Sequence, residues 1–357
     1  MSNCFPKTSG HNFLLDRYPS LKTVLPVADL GTYPTPVNPL ANLSRRFGHD
    51  IRIKRDDLTS SIYGGNKVRK LEFLLGDVLS CGYENVRTLG GVGSHHLLAT
   101  ARFASRAGLQ VWAVTFPQPI TTHTLAVKTA IAKENIRLFP ARSLMDVPHS
   151  FYKMLRASAR EQKKLYPIAA GGSSTLGVLG YVSAALELRN QIKRGETTKP
   201  DIIVVPLGSC GTAAGLLLGL KMAGLPCTIH GVRVTSSIVA NSFNVYRLAW
   251  DAARLLNRLG VPAKSALSRP SSKACVKLHI SGEQLGGGYG HITRRAKEAQ
   301  RLSADLEGLT LDPTYTSKAM AHIISECKKL NNEKQKKQYK FLFWYTLSAM
   351  KRTKACS

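Results

Sequence analysis

Tyr63-Gly64-Gly65-Asn66-Lys67-Val68-Arg69-Lys70-Leu71-Glu72 is the stretch on which the reading of this chain turns. Its glycine pair removes two side chains and permits backbone angles that other residues resist, so a flat ligand has room to lie against the chain. An apolar spacing begins at Val68 and continues through Leu71, Leu74, Leu75 and Val78, which predicts a helix starting near Lys67. An ammonium at that end of a helix dipole is disfavoured by roughly 0.3–1 kcal/mol. A lowered pKa follows, and a neutral amine beside room for a ring is what condensation with an aldehyde requires. From this stretch alone, a solvated lysine at a helix start reads equally well.

The 357 residues suffice for a large core and suggest two domains. Lys and Arg number 50 against 22 Asp and Glu, a net charge of +28. Such a field favours anionic ligands and holds acidic polymers non-specifically. The charge is scattered, thickening only over residues 328–357, with nine Lys and Arg and the single acid Glu333. No RNA-binding or helix-turn-helix signature accompanies it, so nucleic acid is not expected as the partner. Seven cysteines without short regular spacing make neither a zinc pattern nor a disulfide framework, and a reducing, cytoplasmic setting is expected. The apolar region 202–225 is broken by Pro206 and glycines and reads as strand, loop and helix; no membrane span is expected.

Along the chain, residues 51–54 alternate as a strand and residues 40–47 read as a helix. Strands are predicted at 86–89, 111–116 and 136–139, and helices from the start of the His95-His96 segment to Ala107, at 122–134 and at 147–165. A helix then runs from about Gly177 to Lys193, and the short polar segment 193–200 marks a boundary. Strands at 201–207 and 228–234, helices at 212–223, 239–259 and 317–329, and a strand at 340–345 complete the pattern. Such alternation predicts parallel sheets with right-handed crossovers.

Two turns carry candidate chemistry. Gly208-Ser209-Cys210-Gly211-Thr212-Ala213-Ala214-Gly215 follows an apolar strand and opens a helix. Successive N–H groups there, with the dipole behind them and the hydroxyls of Ser209 and Thr212 beside them, bind a phosphate. The loop lacks the Gly-Lys-Ser/Thr ending of a nucleotide-hydrolysing loop and the dinucleotide glycine spacing, so it suits a small phosphate monoester, or else is a plain structural turn. Gly93-Ser94-His95-His96 sits at a second such turn, where backbone donors and Ser94 suit a carboxylate. His95 would ordinarily titrate near neutrality. Neighbouring histidines at a helix start point apart, which argues against a metal.

Lys54-Arg55-Asp56-Asp57-Leu58-Thr59, followed by the opening stretch, resembles the pyridoxal-phosphate enzymes of fold type II, within them D-cysteine desulfhydrase and 1-aminocyclopropane-1-carboxylate (ACC) deaminase. The resemblance continues in family order through the Ser94 turn, Gly177-Val178-Leu179-Gly180-Tyr181, the Ser209 loop, Gly286-Gly287-Gly288-Tyr289-Gly290 and Leu311-Asp312-Pro313-Thr314-Tyr315-Thr316-Ser317-Lys318-Ala319-Met320, and so covers most of the chain. It implies an α/β protein of two domains, like the tryptophan synthase β chain, each a mostly parallel sheet flanked by helices. Residues 61–189 would form a small domain inserted in a large one built from 1–60 and 190–357.

It also implies that Lys67 carries pyridoxal 5'-phosphate, with Asn66, His95, Gly208, Ser209, Cys210, Gly211, Thr212 and Thr316 around it. Lys67, Ser94, Tyr289 and Tyr315 would be catalytic, a small amino acid the substrate, and the assembly a homodimer. The family commonly has glycine where this chain has Cys210 and Gln-Ser-Asn where it has Gly93-Ser94-His95. ACC deaminase carries glutamate at the place of Thr316, facing the pyridine nitrogen; desulfhydrases carry a hydroxyl residue. The expected activity is therefore β-elimination from D-cysteine to pyruvate, sulfide and ammonia. ACC deamination ranks second, racemisation third, and a basic binding protein without catalysis is the alternative of a different class.

Overall fold

The computed structural model describes residues 11–268, 275–333 and 337–347; of the basic end weighed above, residues 334–336 and 348–357 lie outside them. Its elements run α1 (Phe13–Arg17), β1 (Val37–Pro39), α2 (Ala41–Phe47), β2 (Asp50–Lys54), α3 (Lys67–Ser80), β3 (Asn85–Gly91), α4 (His95–Arg106), β4 (Gln110–Phe116), α5 (Thr122–Ala132), β5 (Ile136–Pro140), α6 (Val147–Arg160), β6 (Leu165–Pro167) and α7 (Thr175–Lys193). They continue through β7 (Ile202–Leu207), α8 (Gly211–Ala223), β8 (Thr228–Arg233), α9 (Ser242–Arg258), α10 (Ala263–Ser268), β9 (Lys277–Ser281), α11 (Arg294–Glu307), α12 (Thr316–Asn331) and β10 (Lys340–Trp344).

The strands form two sheets, one of six in the order β1-β2-β10-β7-β8-β9 and one of four in the order β5-β4-β3-β6. Every pair is parallel except β1 with β2. All residues of β7 are buried, as a parallel strand covered on both faces requires. One face of the larger sheet packs with α7, α8 and α9, the other with α2, α11 and α12. The smaller sheet packs on α3 and α4, and on its other side Trp112 and Met154 seat α6.

Several expectations need correction. The helix expected over 147–165 stops at Arg160, where Gln162 takes φ 53, and Leu165 already belongs to β6 beside β3. Strands β1 and β9 were not foreseen. Both are edge strands that stay partly exposed, and β1 contains Pro39, so neither shows the apolar run of a buried strand. Gly64 packs against protein: a Cβ there would lie 1.8 Å from the Asp57 carbonyl oxygen, so the bare backbone serves the turn itself.

That turn is bolted down by a buried ionic cluster. Arg69, one turn into α3, donates to Asp56 and to Glu187 of α7 at 2.8 Å each. Lys54 at the end of β2 pairs with Glu187 and donates to Gln191 at 2.7 Å. Tyr181 and Trp344 each donate to Asp56 Oδ2 at 2.7 Å, and the Tyr33 ring lies 4.4 Å from the guanidinium. Burial pushes the Glu187 carboxyl up, but Arg69 and Lys54 outweigh it and hold the group at about 2. Its depressed folded value means that its contribution is present above the ordinary carboxylate pKa and is lost as pH falls through about 2. Glu187→Ala leaves the buried Lys54 without its ion-pair partner and Arg69 with Asp56 alone, and should cost about 3–5 kcal/mol, read as a lower urea midpoint at unchanged slope.

Candidate active site

Parallel strands point their carboxyl ends to one side, and in this fold class ligands bind there. The ends of β3, β4 and β7, with Thr346 just after β10, open into a cavity of about 620 Å³. That volume suits a cofactor together with a small substrate. Asn66, Lys67, Ser94, His95, Gly208, Ser209, Cys210, Thr212, Tyr289 and Tyr315 all line it, so segments far apart in the chain meet around one space.

Lys67 opens α3, as its apolar spacing requires, and its Nζ donates to Asn66 Oδ1 at 2.7 Å. Burial is the largest cause lowering its pKa to about 8, opposed by the Asp312 carboxylate. The amine is thus poised near neutrality, with desolvation the named cause. Asn66 in turn donates to Thr212 Oγ1 at 3.2 Å, linking the lysine to the opposite loop.

The Ser209 loop joins β7 to α8. Cys210 occupies the position before the helix with φ 67, a left-handed conformation that favours glycine, and its thiol reaches Val239 O at 3.3 Å. The strained angle explains why glycine suits this place. Gly211 sits behind the cavity wall, its N–H donating to Ser173 Oγ at 3.2 Å, so that amide is already used. Two groups missed in the sequence complete the loop. Ser173, from the segment before α7, lies 2.7 Å from Ser209 Oγ, and Lys70 Nζ donates to Ser173 Oγ at 3.1 Å. Burial and then the nearby Lys67 lower the Lys70 pKa well below the usual lysine range. An anion bound in the loop would supply the counter-charge that raises it again. Lysine plus serine and threonine hydroxyls, with no acid among them, is a donor set that fits a phosphate.

Ser94 caps α4 by accepting from Leu97 N at 3.4 Å, which leaves its O–H to donate into the cavity. The expectation for His95 is corrected. Its Nδ1 lies 2.5 Å from the Tyr63 hydroxyl and its Nε2 2.8 Å from His123 Nε2, so neither nitrogen remains for a cofactor. Burial, then His123, lowers it to about 3, so it is neutral rather than titrating near pH 7. His96 turns the other way, to Thr88 Oγ1 at 2.8 Å, and among the described residues no group of side chains could hold a metal.

Thr316 is also corrected. It is fully buried, does not line the cavity, and donates its hydroxyl to Asp312 Oδ2 at 2.6 Å. Asp312, not foreseen, lines the cavity, as does Thr346. The Tyr289 and Tyr315 hydroxyls are 2.7 Å apart with edge-to-face rings, and burial raises both phenol pKa values.

With this geometry the chain is recognised as a pyridoxal-phosphate dependent enzyme: residues 28–338 match that family's model, and the chain belongs to the family. Among its relatives, a putative 1-aminocyclopropane-1-carboxylate deaminase of Pyrococcus abyssi is 33% identical, covering 88% of this chain and 89% of that protein. The D-cysteine desulfhydrase of Salmonella paratyphi B is 34% identical, covering 85% and 88% respectively. A crystal structure of an ACC deaminase homologue superposes with a TM-score of 0.75 at 32% identity, covering 94% of each chain. Threonine deaminase isoform 2 from Solanum lycopersicum shares the fold, with a TM-score of 0.61 at 15% identity over 97% of this chain and 93% of that one. The protein is therefore a pyridoxal-phosphate enzyme of fold type II within the ACC deaminase and D-cysteine desulfhydrase group, and no helix among its described residues is long and apolar enough to cross a membrane.

Because only the neutral amine attacks an aldehyde, the rate at which cofactor-free protein captures pyridoxal phosphate should rise with pH and level off above about 8. Stopped-flow absorbance at several pH values reads this directly. At position 210, Cys210→Gly should retain cofactor affinity, since relief of about 1–2 kcal/mol of left-handed strain offsets the lost side chain. Cys210→Val places a β-branched residue at positive φ and should weaken affinity at least about tenfold in a fluorescence titration.

Proposed function

We propose that this enzyme deaminates a small amino acid by β-elimination, and that D-cysteine is its preferred substrate. The observation that carries this reading is the charge of the cavity wall. Asp312 is the only acid among the described lining residues, and both its oxygens are spent. Oδ1 accepts from Thr314 N at 2.9 Å and Tyr315 N at 2.7 Å; Oδ2 accepts from Thr316 N at 3.0 Å and from the Thr316 hydroxyl. Hydroxyls, that of Thr346 included, stand beside the amides of Asn66 and Gln118 and the histidines, and none of these brings a negative charge to the wall. Bound pyridoxal phosphate supplies an electron sink for the α-carbon, and in a neutral setting that sink is weaker than beside a free carboxylate. A thiolate leaves readily enough for a weak sink to suffice.

In this reading Lys67, Asn66, Lys70, Ser173, Ser209 and Thr212 hold the cofactor. The Ser94 hydroxyl and the N–H groups at the start of α4 hold the substrate carboxylate. The Lys67 amine removes the α-proton. The tyrosine pair, kept protonated by burial, gives a proton to the departing sulfur. Cysteine and one water thereby become pyruvate, ammonia and hydrogen sulfide. We also propose that residues 1–60 with 190–357 act as one domain and 61–189 as the other, with α7 at the seam, where it packs on α8 and on α3.

Opening the ring of ACC is the second reading, favoured by the names of the Pyrococcus relative and of the superposed crystal structure. Ammonia release from D-cysteine and from ACC, measured side by side together with the keto acid formed, pyruvate from the first and 2-oxobutyrate from the second, separates the two. D-cysteine should win by at least about tenfold in kcat/KM, with stoichiometric sulfide, and a reversed ratio overturns the assignment. Lys67→Ala should remove both the visible absorption of the bound cofactor and all turnover.

A further inference from the structure

Tyr289 reaches the cavity from a loop that carries little structure of its own. Residues 286–290 contain glycines at φ 62, 118 and 82 at positions 286, 288 and 290, and no helix or strand includes them. Backbone of that kind is cheap to move, because glycine holds these angles without a side-chain preference. Yet the Tyr289 hydroxyl must sit 2.7 Å from that of Tyr315, on the rigid start of α12, for the pair to share a proton.

What ties the loop to that helix is Lys318, three residues beyond Tyr315. Its side chain is fully buried, an unusual state for a lysine, and it forms no ion pair among the described residues. Its Nζ instead donates to two carbonyls of the Tyr289 loop, Leu285 O at 2.8 Å and Gly288 O at 3.4 Å. A buried ammonium costs several kcal/mol to desolvate, and here main-chain oxygens are what answer it. The Gly288 carbonyl also accepts from His291 N at 3.3 Å, within the loop itself, and on the far side a Cβ on Gly290 would lie 3.0 Å from Pro119 Cδ.

We propose that Lys318 is a positioning residue for the elimination, pinning the 285–290 loop through its carbonyls so that Tyr289 stays in hydrogen-bond register with Tyr315. The inference rests on the proposed role of the tyrosine pair as proton donor to the leaving group. Lys318 does not line the cavity; its effect passes through Tyr289.

The test is a double-mutant cycle in the holoenzyme, with amide hydrogen exchange as a second readout. Lys318→Met keeps length and burial while removing the donors. It should raise exchange of the 285–291 amides at least about tenfold, leave exchange of β7 and α8 unchanged, and lower kcat for D-cysteine about tenfold or more at little change in KM. Tyr289→Phe should lower kcat by a similar or larger factor, within the range general acids supply. In the Tyr289→Phe background, Lys318→Met should then cost less than about threefold. Independent, multiplying losses, or unchanged exchange in the loop, overturn the proposal. Should Lys318→Met not fold, Lys318→Gln, too short to span both carbonyls, is judged by the same two readouts. If Tyr289→Phe alone leaves turnover intact, the proton-donor role falls, whereas loop exchange still decides whether Lys318 is the pin.

Discussion

The contact between Arg69 and its two carboxylates is the constraint on which the site depends. Asp56 comes from the short 3-10 turn after β2, and Glu187 from α7, so one guanidinium joins the start of α3 to both. A planar fork that donates in several directions at once fixes position and orientation together, which a lysine could not do. Lys67 lies two residues before Arg69 on the same helix. The helix that carries its amine is therefore anchored by ionic bonds in the interior, while Asn66 of the preceding loop holds the amine itself. Removing water from such a cluster is expensive, and three of the four carboxylate oxygens, both of Asp56 and Oε1 of Glu187, are accordingly met by more than one donor.

The cavity itself shows the opposite strategy. Among the described residues its wall carries Lys67 and Lys70 with hydroxyl, amide and imidazole groups, and the one acid among them is consumed by the amides and the hydroxyl at the start of α12. Burial keeps the phenols protonated and brings Lys67 close to losing its proton at neutral pH. The amine and the phenols that face the cavity are thus set apart by environment rather than by residue type.

Much of this was legible in the linear chain. The Lys67 helix, the strands of the parallel sheets and the two strand-to-helix turns announce themselves because apolar spacing and glycine placement are local properties. The edge strands β1 and β9 do not, since half-exposed residues leave no apolar run. Thr316 misled for a related reason: a hydroxyl beside Tyr315 looks available until α12 begins there and turns it back onto Asp312. Ser173 at the Ser209 loop and His123 against His95 come from segments with no motif of their own. The ionic cluster was equally invisible, because Glu187 stands 118 residues from Arg69.

The position of β10 has a consequence for how the molecule comes into being. It follows every other strand among the described residues, yet lies between β2 and β7, and its Trp344 indole completes the shell around Asp56. A ribosome delivers that strand after all the others, so the six-stranded half cannot close during most of synthesis, whereas the four-stranded half has its full complement of strands by residue 167. Until then β2 and β7 present open edges to the cell, the condition in which strands pair wrongly. A nascent chain of this protein is thus born with its smaller half ready and its larger half waiting for a keystone.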